Sequence, residues 1–273
     1  MANAPILTDR RALERNRTRA MRQPALFLHD TAAEELEHRL SMVNRRFNSA
    51  AIISGFPDFW RGFLPDATHV SDTDVLSLEP ETYDLVIHAM ALHWANDPVG
   101  QVIQARRALR PDGLFLSVAF GGRTLHELRA ALATAESEVT GGLSPRVAPM
   151  AEIRDMGALL QRAGLALPVA DSLPLNVTYA SPLHLMRELR QMGENNALND
   201  RLRRPTRRKI ILRAAEIYAQ AHGTENGRIP ATFELIFLSG WAPDDSQPKP
   251  LRPGSASARL ADALNARETK LPD

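Results

Sequence analysis

Between Tyr83 and Phe120 the chain spells out one unit that few folds can hold. Asp84-Leu85-Val86-Ile87-His88-Ala89-Met90 is an apolar run of strand length. Asp97 and Pro98 then carry a helix start, with Pro98 suited to the first turn, where an N–H would have no partner. Val102, Ile103, Ala105 and Leu109 give that helix its apolar face. Pro111-Asp112-Gly113 stops it, and Leu114 to Phe120 forms the next strand. Strand, helix, tight turn and strand make a βαβ unit, so the two strands should lie parallel in a sheet covered on both faces.

The flanking sequence extends this to an α/β fold. Residues 8–45 read as helical, with Leu36, Leu40 and Val43 at helical spacing among Glu34, Glu35, Glu37, His38 and Arg39. Ala50 to Ser54 is a short buried strand, and His69 to Ser71 begins another. After Gly121-Gly122 the pattern turns helical again, through Leu125, Leu128, Ala131 and Leu132, then Ile153, Met156, Leu159 and Leu160. A strand-like stretch follows, around Leu165–Val169 and Leu175–Tyr179. Helices follow from Pro182 and over 206–221, and Ala231 to Trp241 is the last strand, expected at a sheet edge. The organisation expected is an N-terminal helical segment (1–48), a main domain (49–242) with a helical insert (122–164) and helices over 181–222, and a Pro/Ser-rich tail (243–273).

With 273 residues, 44% of them hydrophobic, the chain can bury a large core. No run of 18 apolar residues suggests a transmembrane helix, and no apolar stretch follows the N-terminal charges as a secretory signal would require. The absence of cysteine excludes disulfides, thiolate metal sites and a cysteine nucleophile. Two basic clusters stand out within a net charge of +1: Arg10, Arg11, Arg15, Arg17, Arg19 and Arg22, and Arg201, Arg203, Arg204, Arg207, Arg208 and Lys209. They read first as solvated helix faces and ends. The other reading is docking to an acidic partner or peripheral contact with a membrane surface. Without interleaved aromatics, DNA or RNA is not expected. No His, Asp and Glu set has the spacing of a metal site, and Gly-x-Ser-x-Gly is absent.

Tyr83-Asp84-Leu85-Val86-Ile87, Leu92-His93-Trp94 and Leu109-Arg110-Pro111-Asp112-Gly113-Leu114-Phe115, in that order, resemble the class I methyltransferases that use S-adenosylmethionine. The resemblance implies a Rossmann-like, twisted, mostly parallel sheet, with Asp84–Met90 as the family's fourth strand. The malonyl-carrier methyltransferase of biotin synthesis is a more distant likeness. Phe120–Arg129, Gly141–Pro145, Met192–Asn195 and Pro230–Phe233 look like the branch of respiratory complex I assembly factors, to one of which arginine hydroxylation is attributed. That branch implies a protein substrate, a complex I subunit, handled by a methyltransferase-type transferase or a protein arginine hydroxylase. It implies a cytoplasmic location in a bacterium or the mitochondrial matrix in a eukaryote. The alternatives are a non-catalytic assembly chaperone and, third, a small-molecule or acyl-carrier methyltransferase.

The chain departs from the family at the cofactor loop. Where the family has Asp-Leu-Gly-x-Gly-x-Gly, Ile52 replaces the acid, and Ser54, Phe56 and Asp58 replace the glycines. Gly55 stands one position off, and Pro57 removes a backbone donor. Thirty positions separate Ser54 from Asp84, room for one βα step where the family has two. The fold should therefore be shortened between the first and fourth strands, without the strand that ends in the ribose-binding acid, and S-adenosylmethionine should bind weakly or not at all.

The cofactor contacts implied by the resemblance are Ser54, Gly55, Asp72, Asp74, His88 and Trp94. Asp72 and Asp74 follow a strand, at the edge where α/β sheets bind ligands. His88 lies within a strand and reads equally as a core residue. The catalytic candidates are His93, Glu127 and Glu194. His93, just past a strand's carboxyl end, suits a general base. Glu127 is read as a guanidinium acceptor in the cleft or, slightly preferred, a partner of a neighbouring arginine on the helix surface. Glu194, after helix-breaking Gly193, is unfavourably placed for the helix dipole, which suggests another duty for its carboxylate, such as binding an arginine.

Overall fold

The computed structural model describes residues 6–248. The chain divides into two compact units, Met1–Pro243 and Asp244–Asp273. In the second, described only over 244–248, Ser246 donates its backbone N–H to the Asp244 carboxylate at 2.9 Å. The tail expected over 243–273 lies, beyond Pro248, outside the described residues.

The first unit is a six-stranded sheet between helices. In chain order it runs α1 (Arg10–Ala20), α2 (Phe27–Met42), β1 (Ala50–Ser54), α3 (Pro57–Phe63), β2 (Thr68–Val70) and β3 (Tyr83–Ala89). A short 3-10 turn (Leu92–Trp94), α4 (Pro98–Ala108), β4 (Leu109–Phe120), α5 (His126–Thr140) and α6 (Ile153–Arg162) follow. The unit closes with β5 (Ala166–Tyr179), α7 (Pro182–Gln191), α8 (Arg208–His222) and β6 (Ile229–Trp241).

The sheet order is β2-β1-β3-β4-β6-β5. The first three pairings are parallel; β6 is antiparallel to both its neighbours, so it alone runs against the other five strands. The βαβ unit is present, with the Asp97 side chain capping α4 by accepting from Gly100 N at 2.8 Å. Only α3 and β2 stand between β1 and β3, so the sheet is shortened where the sequence spacing required it.

Every residue of β3 is buried, as befits a central strand covered on both faces. Ile52, Leu85 and Ile87 join the core under α2, α3, α5 and α8, while Ala51, Ile53 and Val86 point to the core under α4 and α6. One expectation is corrected. The last strand is not at an edge, because β6 lies between β4 and β5. The strand-like stretch around 165–169 and 175–179 is β5, and that strand is the edge.

The N-terminal helix is fixed to the rest of the unit at its start. Thr8 bridges to Leu198, Asp9 N donates to Ala197 O at 2.8 Å, and Asn199 N donates to Leu7 O at 2.8 Å. Asp9 also caps α1 through Ala12 N and accepts from Arg201 at 2.9 Å. Part of the second basic cluster is therefore spent on the first segment of the chain.

Candidate functional site

Two cavities of about 340 Å³ each lie beyond the carboxyl ends of the strands. They are separated by a buried polar core that links α1, the end of β1 and the loop after α7.

The first cavity opens between the 3-10 turn, the start of α5, α7 and the loop that follows it. Trp94, Phe120, Leu128, Glu194, Asn195 and Phe233 are among its lining residues. Thr124 and Leu125 line it as well, so the Gly121–Arg129 and Met192–Asn195 segments meet at one site across 63 positions of sequence. Leu125 (φ 54°) lines it in left-handed backbone, and Met90 (φ 51°) ends β3 in the same conformation; such strain tends to gather at functional sites.

Glu194 is the acid of this cavity, with 9% of its side chain exposed. Its Oε2 accepts from Trp94 Nε1 at 2.8 Å and lies 3.3 Å from His93 Nε2. Burial pushes its pKa up, but His93, Arg17 and the Trp94 N–H outweigh this and hold it below the ordinary value. Both of these contacts fall on one oxygen, Oε2. Gly193 makes the turn possible at φ 78°. A side chain there would also press on Phe56 at 3.0 Å and on Arg17 at 3.2 Å.

The second cavity, lined by Arg10, Leu13, Arg17, Gly55, Ser71 and Asp72 among others, is the crevice at the end of β1. Asp72 is 2% exposed. It pairs with Arg17 Nη1 at 2.7 Å and with Arg10 at 3.3 Å, and its backbone oxygen also accepts from Arg10. Burial raises the Asp72 pKa; the two guanidiniums more than reverse this and keep it low. The Arg17 guanidinium lies flat against Gly55, where a methyl group on Gly55 would collide with it. Its Nε and Nη2 are buried without a partner. Ser54, 1% exposed, uses its hydroxyl to accept from Phe56 N at 3.0 Å and so ties the turn into α3.

An adenosyl cofactor needs open backbone at this turn, helix-start N–H groups and an acid for its ribose. Here Gly55 is covered by Arg17, Pro57 has no N–H, and Asp72 is neutralised by two arginines. With Arg17 in place, the residues present do not fit S-adenosylmethionine.

The other candidates fall elsewhere. Glu127 is neither in the cleft nor on the helix surface: 4% exposed, it accepts from Thr232 Oγ1 at 2.5 Å and from Thr232 N, fastening α5 to β6, with His126 at 3.2 Å. His88 is a core residue rather than a cofactor contact, with Nε2 2.7 Å from Gln101 Oε1; Gln101 in turn donates to the backbone oxygen of Thr73. Asp74 is exposed outside the crevice, because the chain turns away after Asp72 to present the Asp74 carbonyl to Gln104. Trp94 serves Glu194 and the first cavity, not the crevice. Among the described residues no three His, Cys, Asp or Glu side chains are grouped to hold a metal ion.

Sequence reasoning missed Arg17. One signal was available: Leu13, Arg17 and Ala20 fall on one helical stripe, so Arg17 stands on the buried face of α1. Arg146, which pairs with buried Glu136 at 2.6 Å and lines the first cavity, carried no such signal.

Comparison with known proteins agrees with this architecture. A family model described as a methyltransferase domain matches residues 55–117. The chain is 40% identical over 200 residues to "Arginine-hydroxylase NDUFAF5, mitochondrial" of Danio rerio, covering 73% of this chain and 62% of that protein. It is 33% identical over 171 residues to a malonyl-[acyl-carrier protein] O-methyltransferase of Halorhodospira halophila, covering 63% of this chain and 56% of that protein. The chain thus spans less than two thirds of the length of these curated relatives. The crystal structure of a putative methyltransferase from Bacillus halodurans superposes with a TM-score of 0.50 at 14% identity, over 78% of this chain and 99% of that one, and so shares the fold. The chain thus has the fold of the class I methyltransferases, and its sequence is similar to the NDUFAF5 proteins.

Proposed function

We propose that this chain binds an arginine side chain of a client protein in the cavity at Glu194, as a protein-modifying member of the complex I assembly-factor branch. The observation that carries this reading is the carboxylate itself. The Glu194 side chain is only 9% exposed, is kept anionic, and has one oxygen held between Trp94 and His93. A fixed, charged acceptor in a partly apolar cavity is what a guanidinium needs for a charge-assisted hydrogen bond. The printed name of the NDUFAF5 relatives supports arginine as the target and hydroxylation as the reaction. A complex I subunit is the client implied by the branch. A cytoplasmic or mitochondrial-matrix setting fits the mitochondrial relatives and the absence, among the described residues, of any helix long and apolar enough to cross a membrane.

A second reading is favoured by the arginine against Gly55: an assembly chaperone that keeps the client cavity and works without the cofactor. One variant separates the two. Glu194→Gln keeps an acceptor for Trp94 and removes the charge. Losing one member of a buried charge pair costs about 2–5 kcal/mol of binding, so an arginine-containing client peptide should bind at least about tenfold more weakly, with the unfolding midpoint little changed. Peptide affinity by titration and arginine modification by mass spectrometry are the readouts. Unchanged affinity would eliminate arginine recognition at Glu194. Weakened affinity and impaired complex assembly, with the client arginine unmodified even by the wild type, would favour the chaperone.

A further inference from the structure

We infer that Arg17 is a built-in plug of the cofactor crevice: α1 fills with its own guanidinium the space over Gly55 that an adenosyl cofactor would take. This does not depend on arginine recognition at Glu194. Three independent contacts place the plug. The guanidinium occupies the position of any Cβ on Gly55, it pairs with Asp72 at 2.7 Å, and its stem packs on Gly193. The helix that carries it is fastened at its base by the Thr8–Leu198 bridge, the Asp9 bond to Ala197 and the Asp9–Arg201 pair. Midway along, Asn16 Nδ2 donates to Asn195 O at 3.2 Å.

The plug also consumes the crevice's acid. Asp72 is the buried carboxylate at the mouth of the strands and the group best placed to accept from ribose hydroxyls or the adenine amine. With Arg17 and Arg10 bound to it, it has little left to offer such a ligand. Its Nε and Nη2 being buried without partners, Arg17 is incompletely satisfied where it sits. Of the five guanidinium N–H donors, only Nη1 has an acceptor, and burying Nε and Nη2 without partners offsets part of what the Asp72 pair contributes. Removing Arg17 would both open the space over Gly55 and return the Asp72 carboxylate to the crevice.

The test is calorimetric titration of S-adenosylmethionine and S-adenosylhomocysteine into the full chain as wild type, Arg17→Ala and Arg17→Lys. Arg17→Lys keeps a cation for Asp72 and removes the flat group over Gly55, so it serves if Arg17→Ala folds poorly. At least a tenfold tighter affinity in either variant supports the plug. Equal affinity in all three proteins, including no binding in any, overturns it. So does weaker binding in the variants, which would make Arg17 a ligand contact instead. A second readout needs no ligand. Gly55→Ala should lower the thermal midpoint of the wild type by evicting Arg17, and lower it much less in the Arg17→Lys background. Equal losses in both backgrounds would overturn the contact itself.

Discussion

Asp72→Ala should be among the most destabilising single substitutions in this chain, by about 3–5 kcal/mol. Asp72 and Arg17 have side chains only 3% and 9% exposed, and their 2.7 Å bond is the one hydrogen bond that Arg17 makes through its guanidinium. Deleting the carboxylate leaves a cation among Gly55, Phe56 and Gly193 with no hydrogen-bonded counter-charge, Glu194 acting on it only through space. Its route of relief is to swing into the neighbouring crevice, which places the effect toward the lower end of the range. Arg10 loses its partner too, but it is 25% exposed and can turn to water. Chemical denaturation at neutral pH measures the loss as a shift of midpoint at constant slope. The Arg17→Ala/Asp72→Ala double variant should be more stable than the sum of its parts predicts, because it removes the stranded cation. A loss under about 0.5 kcal/mol, the range of ordinary surface substitutions, would mean that the pair does not hold α1 in place.

The sequence announced Asp72 but not its partner. A carboxylate just past a strand is legible because strands of an α/β sheet end at the ligand face. Fifty-five positions separate it from Arg17, and nothing local points from one to the other. The docking of α1 depends on backbone pairing with residues 197–199, contacts that use no distinctive side chain. The same reason hid the contrast between the two glutamates. Glu127 and Glu194 are both acids on or beside helices. What separates them is that Thr232 on β6 comes up beneath Glu127, while the indole of Trp94 reaches Glu194.

The sheet was more legible where its residues carry opposite demands at close spacing. Asp97 and Pro98 start α4, and β3 and β4 from Gly113 onward are apolar on both faces, although Pro111-Asp112-Gly113, expected to stop the helix, lies inside β4, which already begins at Leu109. Edge and centre were confused at the C-terminal end, although a signal existed. Leu235 to Leu238 are buried on both faces, as a central strand requires, whereas β5 holds Pro168 and Pro174 and is mostly exposed or half-buried. Proline cannot donate to a second neighbour, so it suits an edge. β5 pairs with β6 along most of its length.

Acid should destabilise the protein well before its carboxylates titrate, because two histidines are buried in neutral form. His29 lies against Phe56, Phe59 and Trp60, and its Nδ1 has no partner. Burial in this aromatic pocket pulls its pKa from 6.5 to about 3. His88, inside β3 and bonded to Gln101, is pulled by burial to about 4. For both, the folded pKa lies below the unfolded one. Their contribution is therefore complete above pH 6.5 and is lost as pH falls, since the unfolded chain takes up the protons that the folded chain refuses. At about pH 5 the cost is about 2 kcal/mol per histidine relative to pH 7.5, or about 4 kcal/mol for both. Asp72 and Glu194 are held below their ordinary values, so their own losses begin as pH falls through the unfolded-state carboxylate range, below about pH 5. Urea midpoints at the two pH values read the histidines almost alone. His29→Leu keeps an apolar side chain in the pocket, gives up its edge contacts to the rings, and removes one titrating group, so about half of the pH-dependent loss should disappear. If His29→Leu loses as much between pH 7.5 and pH 5 as the wild type does, His29 is not buried as a neutral ring, and the packing of α2 against α3 must differ from the arrangement described.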